Sequence, residues 1–91
     1  MMTYDCEHEL RANGWYQGGR ENYSWSKNEI YFVMPHGVHP MSQIARQLPE
    51  LAKPSTSYFL VDTNDGKPWE IIAQAESLEV LITVAKLKEL F

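Results

Sequence analysis

The chain has 91 residues and a formal net charge of −4, with 44% hydrophobic and 22% charged residues. We expect one domain, residues 1–91, because this length suits a single hydrophobic core rather than a cofactor cleft beside a separate substrate domain. The composition is that of a globular protein. A negative charge without a basic stripe disfavours binding to the phosphate backbone of nucleic acids.

Cysteine content and hydropathy bear on the cellular location. The single cysteine, Cys6, cannot form a disulfide within the chain. No apolar run is long enough to span a bilayer or to serve as a signal peptide. We therefore expect a cytoplasmic protein that has no membrane partner.

The first half of the chain predicts a helix followed by a three-stranded meander. The helix runs from Thr3 to about Ala12 and ends at Asn13-Gly14, residue types that stop helices. Aromatic and β-branched residues then predict three strands, with a turn at residues 26–28. The predicted strands are Trp15-Tyr16, Tyr23-Ser24-Trp25 and Ile30–Met34.

The second half predicts a helix, a hairpin and a C-terminal helix. Pro40 suits the first turn of the second helix, and Pro49 ends or kinks it. The hairpin and the last helix comprise Tyr58–Val61, the turn Asn64-Asp65-Gly66, Trp69–Ile72, and about Ser77–Leu90. The predicted fold class is α+β: an antiparallel sheet of about five strands, a three-stranded meander plus a hairpin, with three helices packed on it.

The C-terminal helix is apolar on two sides. One face consists of Leu78, Leu81, Ile82 and Ala85, and the second consists of Val80, Val84, Leu87 and Phe91. Both faces cannot pack on one sheet, so the second is covered by the chain's own helix and loops, or by another molecule. We expect the second face to be an interface for a homodimer or a protein partner.

The loop MPHGVHP, residues 34–40, contains His36 and His39. Together with Cys6 and His8, these are ligand types of a zinc site. However, side chains two positions apart on a helix point about 200° apart, and there is no second pair of cysteines to fix the geometry. We therefore expect His36 and His39 to have a structural role and to bind no metal. We also expect no cofactor and no catalytic residue.

Aromatic residues are concentrated in the predicted strands. Trp15, Tyr23, Trp25 and Tyr31 would form a platform for single-stranded bases if they lay on one exposed face. Such a platform needs a surrounding basic groove, which this acidic chain does not supply. We therefore expect these rings in the core or at an interface.

The first half also carries an ordered set of motifs: a helix, Asn-Gly-Trp, a strand, a turn, a strand, Met-Pro and a second helix. With the distance from Gly19 to Pro35, this order makes residues 4–48 resemble HicA-type toxins, small ribonucleases with a double-stranded-RNA-binding-like fold. In those toxins the glycine opens a Gly-Ser-His motif with a catalytic histidine, whereas Arg20 and Glu21 follow it here. The resemblance therefore implies a related scaffold without ribonuclease activity.

The predicted function is a small non-enzymatic protein-interaction module, of the inhibitor, immunity or accessory type, that self-associates through the C-terminal helix. The alternative is a catalytically inactive, HicA-like protein that binds nucleic acid. This alternative requires the basic side chains to converge on one face. Those side chains are Arg11, Arg20, Lys27 and Arg46.

Overall fold

The computed structural model describes residues 6–18, 21–35, 37–53, 55–64 and 66–91, and for residues 21–24 it describes the backbone only. The elements are α1 (Cys6–Ala12), β1 (Tyr16–Gly18), β2 (Glu21–Lys27), β3 (Ile30–Val33), α2 (Gln43–Gln47), a 3₁₀-helix (Pro49–Ala52), β4 (Tyr58–Asp62), β5 (Glu70–Ala75) and α3 (Leu78–Leu87). They form one antiparallel five-stranded sheet with three α-helices, so the predicted α+β fold class is confirmed.

The strands lie in the sheet in chain order, and each neighbouring pair is antiparallel. Phe32 lies opposite Trp25 on one side and Leu60 on the other, and directly opposite residues point to the same face. Tyr31 lies opposite Val61 and points the other way, because successive side chains alternate. We call the face with Phe32 the first face and the face with Tyr31 the second face.

The first face is covered by α1 and α3. Its buried cluster consists of Leu10, Trp15, Trp25, Ile30, Phe32, Leu60, Leu81, Ile82 and Ala85. Ser77 begins α3, because its hydroxyl accepts a hydrogen bond from the Val80 N–H. An ion pair between Lys86 and Glu9 connects α3 with α1. The two helices thus form one layer over the sheet.

The second face is covered by α2 and the 3₁₀-helix. Its buried cluster consists of Val33, Val38, Ile44, Ala45, Leu51 and Val61. Ser42 caps α2 by accepting a hydrogen bond from the Ala45 N–H. Pro49 ends α2, as predicted, and starts the 3₁₀-helix, since its missing N–H does no harm in a first helical turn. The sheet therefore has helices on both faces.

Several boundaries differ from the sequence prediction, and the β2–β3 turn and the start of the second helix show why. The turn between β2 and β3 consists of Asn28 and Glu29 instead of residues 26–28, because β2 continues through Lys27 to pair with β3. The second helix begins at Gln43 instead of near Pro40, because the capping serine lies after the proline. Both shifts follow from hydrogen bonds that residue preferences alone do not specify.

The loop from β3 to α2 is held by close backbone packing at Gly37. Its φ is +81°, and a Cβ at this position would lie 2.7 Å from the carbonyl oxygen of Leu51. The N–H of Val38 donates to that same oxygen at 2.9 Å. Glycine is required here for two reasons, the left-handed backbone and the lack of space for a side chain.

Replacing Gly37 with alanine should destabilise the protein by about 2–3 kcal/mol, because the left-handed strain and the contact with Leu51 act together. Gly14 provides the matched control. Its φ is +88°, but an added Cβ would meet only the flexible Lys27 side chain at 3.5 Å. Gly14→Ala should therefore cost about 1 kcal/mol. Urea unfolding measures both values, and equal losses for the two variants would contradict the packing argument.

The loop between β4 and β5 is folded around the carboxylate of Asp62. Its Oδ1 accepts a hydrogen bond from the Asn64 N–H at 2.9 Å, and its Oδ2 lies 2.8 Å from the Lys67 Nζ. Lys67 Nζ also lies 3.3 Å from an oxygen of Glu70. The hydrogen bond from Lys67 holds the pKa of Asp62 below its ordinary value. These contacts set the path of the chain that leads to Trp69.

Replacing Asp62 with asparagine removes a carboxylate whose pKa is lower in the folded protein than in the unfolded chain. Such a group stabilises the fold above its unfolded pKa of about 4, and this contribution is lost as the pH falls through the folded pKa. We expect the variant to be less stable at pH 7, with a difference from the unmodified protein that shrinks below about pH 4.

Urea unfolding at a series of pH values measures this difference. Glu50→Gln is the control, since Glu50 is exposed and, among the described residues, its carboxylate has no hydrogen bond or ion pair. A stability difference between the Asp62 variant and the unmodified protein that stays constant down to about pH 2 would show that the pKa of Asp62 does not contribute.

Candidate functional site

The predicted interface lies on α3, which has a buried side and an exposed side. Three residues of the helix are completely buried: Leu81, Ile82 and Ala85. On the opposite side, Val80 is 54% and Leu87 is 80% exposed, and Val84 is half-buried. The spacing of these three residues, i, i+4 and i+7, places them along one line of the helix. We call Val80, Val84 and Leu87 the outer stripe.

Phe91, the fourth residue predicted for this face, packs on the first-face core instead. The chain turns back after α3 at Glu89, whose φ is +61°, and the Leu90 N–H donates to the Ala85 carbonyl at 2.9 Å. The Phe91 ring thereby comes within 5.5 Å of the Trp15 ring, measured between centroids. The helix ends three residues earlier than predicted. Phe91 therefore lies beyond the helix and does not belong to the outer stripe.

The basic residues of the nucleic-acid alternative are spread over the fold. Arg11 is exposed on α1, and its guanidinium lies 2.8 Å from the Glu7 carboxylate. Lys27 donates to a backbone carbonyl of the turn after α1 at 2.6 Å. Arg46 lies on α2, which covers the other face of the sheet, and Arg20 lies outside the described residues. Arg11 and Arg46 therefore do not share a surface.

The zinc-type ligands considered from the sequence are also separated. Cys6 and His8 belong to α1 on the first face, whereas His39 precedes α2 on the second face. His39 accepts a hydrogen bond at Nδ1 from the Met41 N–H at 3.0 Å, and His36 lies outside the described residues. Within the described ranges, no three His, Cys, Asp or Glu side chains are grouped to hold a metal ion.

A half-open groove of about 250 Å³, not predicted from the sequence, lies on the second face beside α2. Its centre is a row across three strands, in which Ser26 lies opposite Tyr16 on one side and Tyr31 on the other. Since directly opposite residues share a face, the small serine side chain lies between two tyrosines. Trp69 lines the groove from the loop before β5, and Ile44 lines it from α2.

The three rings of the groove differ in how firmly they are held. Tyr31 and Trp69 are half-buried and pack against the second-face core. Tyr16, on the edge strand β1, is 59% exposed. The groove thus has two anchored aromatic walls and one that is accessible to solvent.

The β2–β3 turn forms the rim of the groove. Asn28 and Glu29 have φ values of 51° and 69°, so both are left-handed, as in a type I′ turn. Glycine is favoured at the second position of such a turn, and a non-glycine residue there costs about 1–3 kcal/mol. The Thr63 N–H and hydroxyl both donate to the Glu29 carbonyl, at 2.9 and 2.6 Å. These two hydrogen bonds hold the strained turn against the end of β4.

Glu29 is the acidic residue among the described residues that line the groove. In the described part of the chain, its carboxylate takes part in no hydrogen bond or ion pair. Lys27 also touches the groove, but it follows Ser26 in β2, so its side chain points to the first face. Its ammonium donates to the Asn13 carbonyl at 2.6 Å. The groove therefore combines three aromatic rings with polar side chains, and its rim carries one carboxylate.

Sequence reasoning missed the groove because its walls are distant in the chain. Tyr16, Tyr31 and Trp69 come from two strands and a loop, and only the strand register brings them together. One signal was available. Asn28 is a typical residue of two-residue hairpin turns, and a turn at Asn28-Glu29 pairs Ser26 with Tyr31.

None of the helices in the described ranges has the length and apolarity of a membrane span. The longest, α3, has 10 residues, whereas a spanning helix needs about 20. Comparisons of the chain with models of protein families, with curated proteins and with solved structures find no match.

Proposed function

We propose that the protein is a non-enzymatic protein-interaction module that self-associates through the outer stripe of α3. The observation that carries this proposal is the exposure of Val80 and Leu87, 54% and 80%, on a helix whose other side is buried. Single exposed apolar residues are ordinary, but three along one line form a continuous apolar surface. Small size and negative charge suit an inhibitor, immunity or accessory protein.

Two copies of α3 can bury their outer stripes against each other by packing antiparallel about a two-fold axis. With the axis next to Val84, Val80 of each copy lies opposite Leu87 of the other. A two-fold contact of this kind uses the same patch on both molecules, so it closes as a dimer and does not propagate. In this arrangement each stripe buries apolar surface against the apolar surface of the other.

The charges beside the stripe support the same arrangement. Glu79 and Lys86 are seven residues apart and lie on one flank of α3. In an antiparallel pair, residues of the same flank meet, so Glu79 of one copy faces Lys86 of the other. Lys86 already forms an ion pair with Glu9 of its own chain. The dimer would add a second carboxylate to this pair.

The dimer should be weak. Burying a large apolar side chain fully contributes about 1.5–3 kcal/mol, and Val84 is already half-buried in the monomer. Association costs at least about 4 kcal/mol of translational and rotational freedom. Three such side chains per copy therefore support a dissociation constant on the order of 10–100 μM.

The proposal includes a cytoplasmic location, since one cysteine allows no disulfide within the chain. The alternative of an inactive, HicA-like nucleic-acid-binding protein stays a prediction. Arg11 and Arg46 lie on helices that cover opposite faces of the sheet, and this placement does not favour it.

Replacing both Val80 and Leu87 with aspartate should abolish dimerisation, because four negative charges would meet at the centre of the interface. Sedimentation velocity of the unmodified protein should show a mass that rises with concentration between about 10 μM and 1 mM. The double variant should stay monomeric over the same range. Its circular dichroism should remain that of the folded protein, since both side chains are more than half exposed.

Met41→Asp is the control, because Met41 is 66% exposed but lies outside the outer stripe. This variant should dimerise like the unmodified protein. An unmodified protein that remains monomeric at about 1 mM would contradict self-association. Equal dissociation of the Met41 variant would place the interface elsewhere.

A further inference from the structure

We propose that the groove on the second face binds a quaternary ammonium group, a positively charged nitrogen that carries four alkyl substituents. The groove presents three aromatic rings and one carboxylate: Tyr16, Tyr31, Trp69 and Glu29. The faces of aromatic rings carry negative partial charge, and cages of such rings bind this class of cation. The groove lies on the opposite face of the sheet from the outer stripe, so this proposal is independent of self-association.

The separation of the two tyrosines fits one cation between them. Tyr16 and Tyr31 both lie opposite Ser26, so two strand spacings, about 9.5 Å, separate their backbones. A cation midway between side chains that stand perpendicular to the sheet is about 5 Å from each ring. This distance is within the limit of about 6 Å for cation–π attraction. Ser26, the residue between the two tyrosines, has a small side chain that lines the groove, with 5% of the residue's surface exposed.

The charge of the groove selects a cation over an anion. Glu29 contributes a carboxylate at the rim, and the whole chain carries a net charge of −4. Lys27 does not oppose this selection, because its ammonium is bound to the Asn13 carbonyl near the first face. Lys67, at the β4–β5 loop before Trp69, is neutralised by Asp62 and Glu70. An anionic ligand would meet the ring faces and Glu29 without a compensating cation.

The hydrogen-bonding groups of the groove favour a cation without N–H donors. A primary ammonium carries three donors that need acceptors when it leaves water. The Thr63 hydroxyl donates to the Glu29 carbonyl, and Ser26 is only 5% exposed. Glu29 is the one carboxylate of the described lining residues, and the faces of the rings carry no lone pair to accept a hydrogen bond. A quaternary ammonium has no donors to satisfy, so its binding requires only the rings and the charge.

The strained turn at the rim is the second observation that points to a ligand. Glu29 has a φ of 69° at a position where glycine would be more stable, and two hydrogen bonds from Thr63 hold it there. Residues kept in strained conformations are concentrated at binding and active sites. A glutamate at this position adds negative charge to the groove, whereas a glycine would stabilise the turn and add no charge.

Titration of the full-length, isotope-labelled protein with choline, followed by heteronuclear NMR, tests the proposal. We expect saturable shifts at Tyr16, Tyr31 and the Trp69 indole, with a dissociation constant on the order of 1–10 mM. 3,3-Dimethylbutan-1-ol has the shape of choline without the charge, and it should bind at least about 10-fold more weakly. Equal binding of the two compounds, or no shift with about 100 mM choline, would overturn the proposal.

Variants separate the contribution of the rings from that of the carboxylate. Tyr16→Ala should weaken choline binding about 3- to 10-fold and leave the fold intact, because this side chain is 59% exposed. Met41→Ala is the control outside the groove and should change nothing. Loss of binding in the Met41 variant, or full binding without the Tyr16 ring, would contradict the assignment.

Glu29→Gly distinguishes a role of the carboxylate in binding from a purely structural role, because it should change stability and choline affinity in opposite directions. Removing the left-handed strain should raise the midpoint of thermal unfolding by about 4 °C, while choline binding falls about 3-fold. Glu29→Gln should lose the binding to the same extent without the gain in stability. If the glycine variant is more stable and binds choline with unchanged affinity, the carboxylate is not part of the site.

The same ammonium chemistry occurs in free choline-type metabolites and in trimethylated lysine side chains of proteins. A peptide that contains trimethyllysine, and the same peptide with unmodified lysine, distinguish these sources. Tighter binding of the trimethylated peptide than of choline assigns the site to a protein ligand, and the reverse assigns it to a metabolite. Binding of the unmodified peptide with equal affinity would contradict selection for a quaternary ammonium.

Discussion

Phe32 and Val33 are neighbours in the central strand, and neither has any exposed surface although they point to opposite faces of the sheet. A strand that is buried on both faces needs apolar cover on each side. The chain meets this need by placing α1 and α3 on the first face, and α2 with the 3₁₀-helix on the second. In a chain of 91 residues, few helical residues are available, and they are divided between the two faces of the sheet. Each helical layer is therefore small.

Both candidate surfaces result from this division. On the first face, no further layer of the described residues lies above α3, and Val80 and Leu87 of its outer stripe are exposed. On the second face, α2 has five residues and the 3₁₀-helix has four, which gives each a length of about 8 Å. Five strands span about 19 Å. The short helices therefore leave the end of the sheet at β1 and β2 open, where the groove lies.

The groove combines features that do not improve stability. Glu29 occupies a left-handed position that disfavours it, and Tyr16 exposes more than half of its surface to water. Thr63 compensates by fixing the turn through two hydrogen bonds over a sequence distance of 34 residues. Because the groove and the outer stripe lie on opposite faces, binding at one of the two proposed sites would not block the other. The two surfaces can therefore be studied separately by substitution.

The sequence by itself determined the elements whose signals are local. Proline at position 49 predicts the end of α2, and helical spacing identifies Val80, Val84 and Leu87 as one stripe. Runs of aromatic and β-branched residues bounded by turn residues also predict the strands, and with the helices they predict the fold class. These features depend on residues that are close to each other in the sequence.

Only the tertiary structure decided which distant residues meet. Phe91 leaves the predicted stripe because a left-handed residue after α3 turns the chain back toward the core. Tyr16 and Tyr31 form two walls of a groove because the strand register aligns both with Ser26. A shift of one residue would move these side chains to the other face. Register is set by the simultaneous packing of both faces, an interaction that no single segment of the sequence contains.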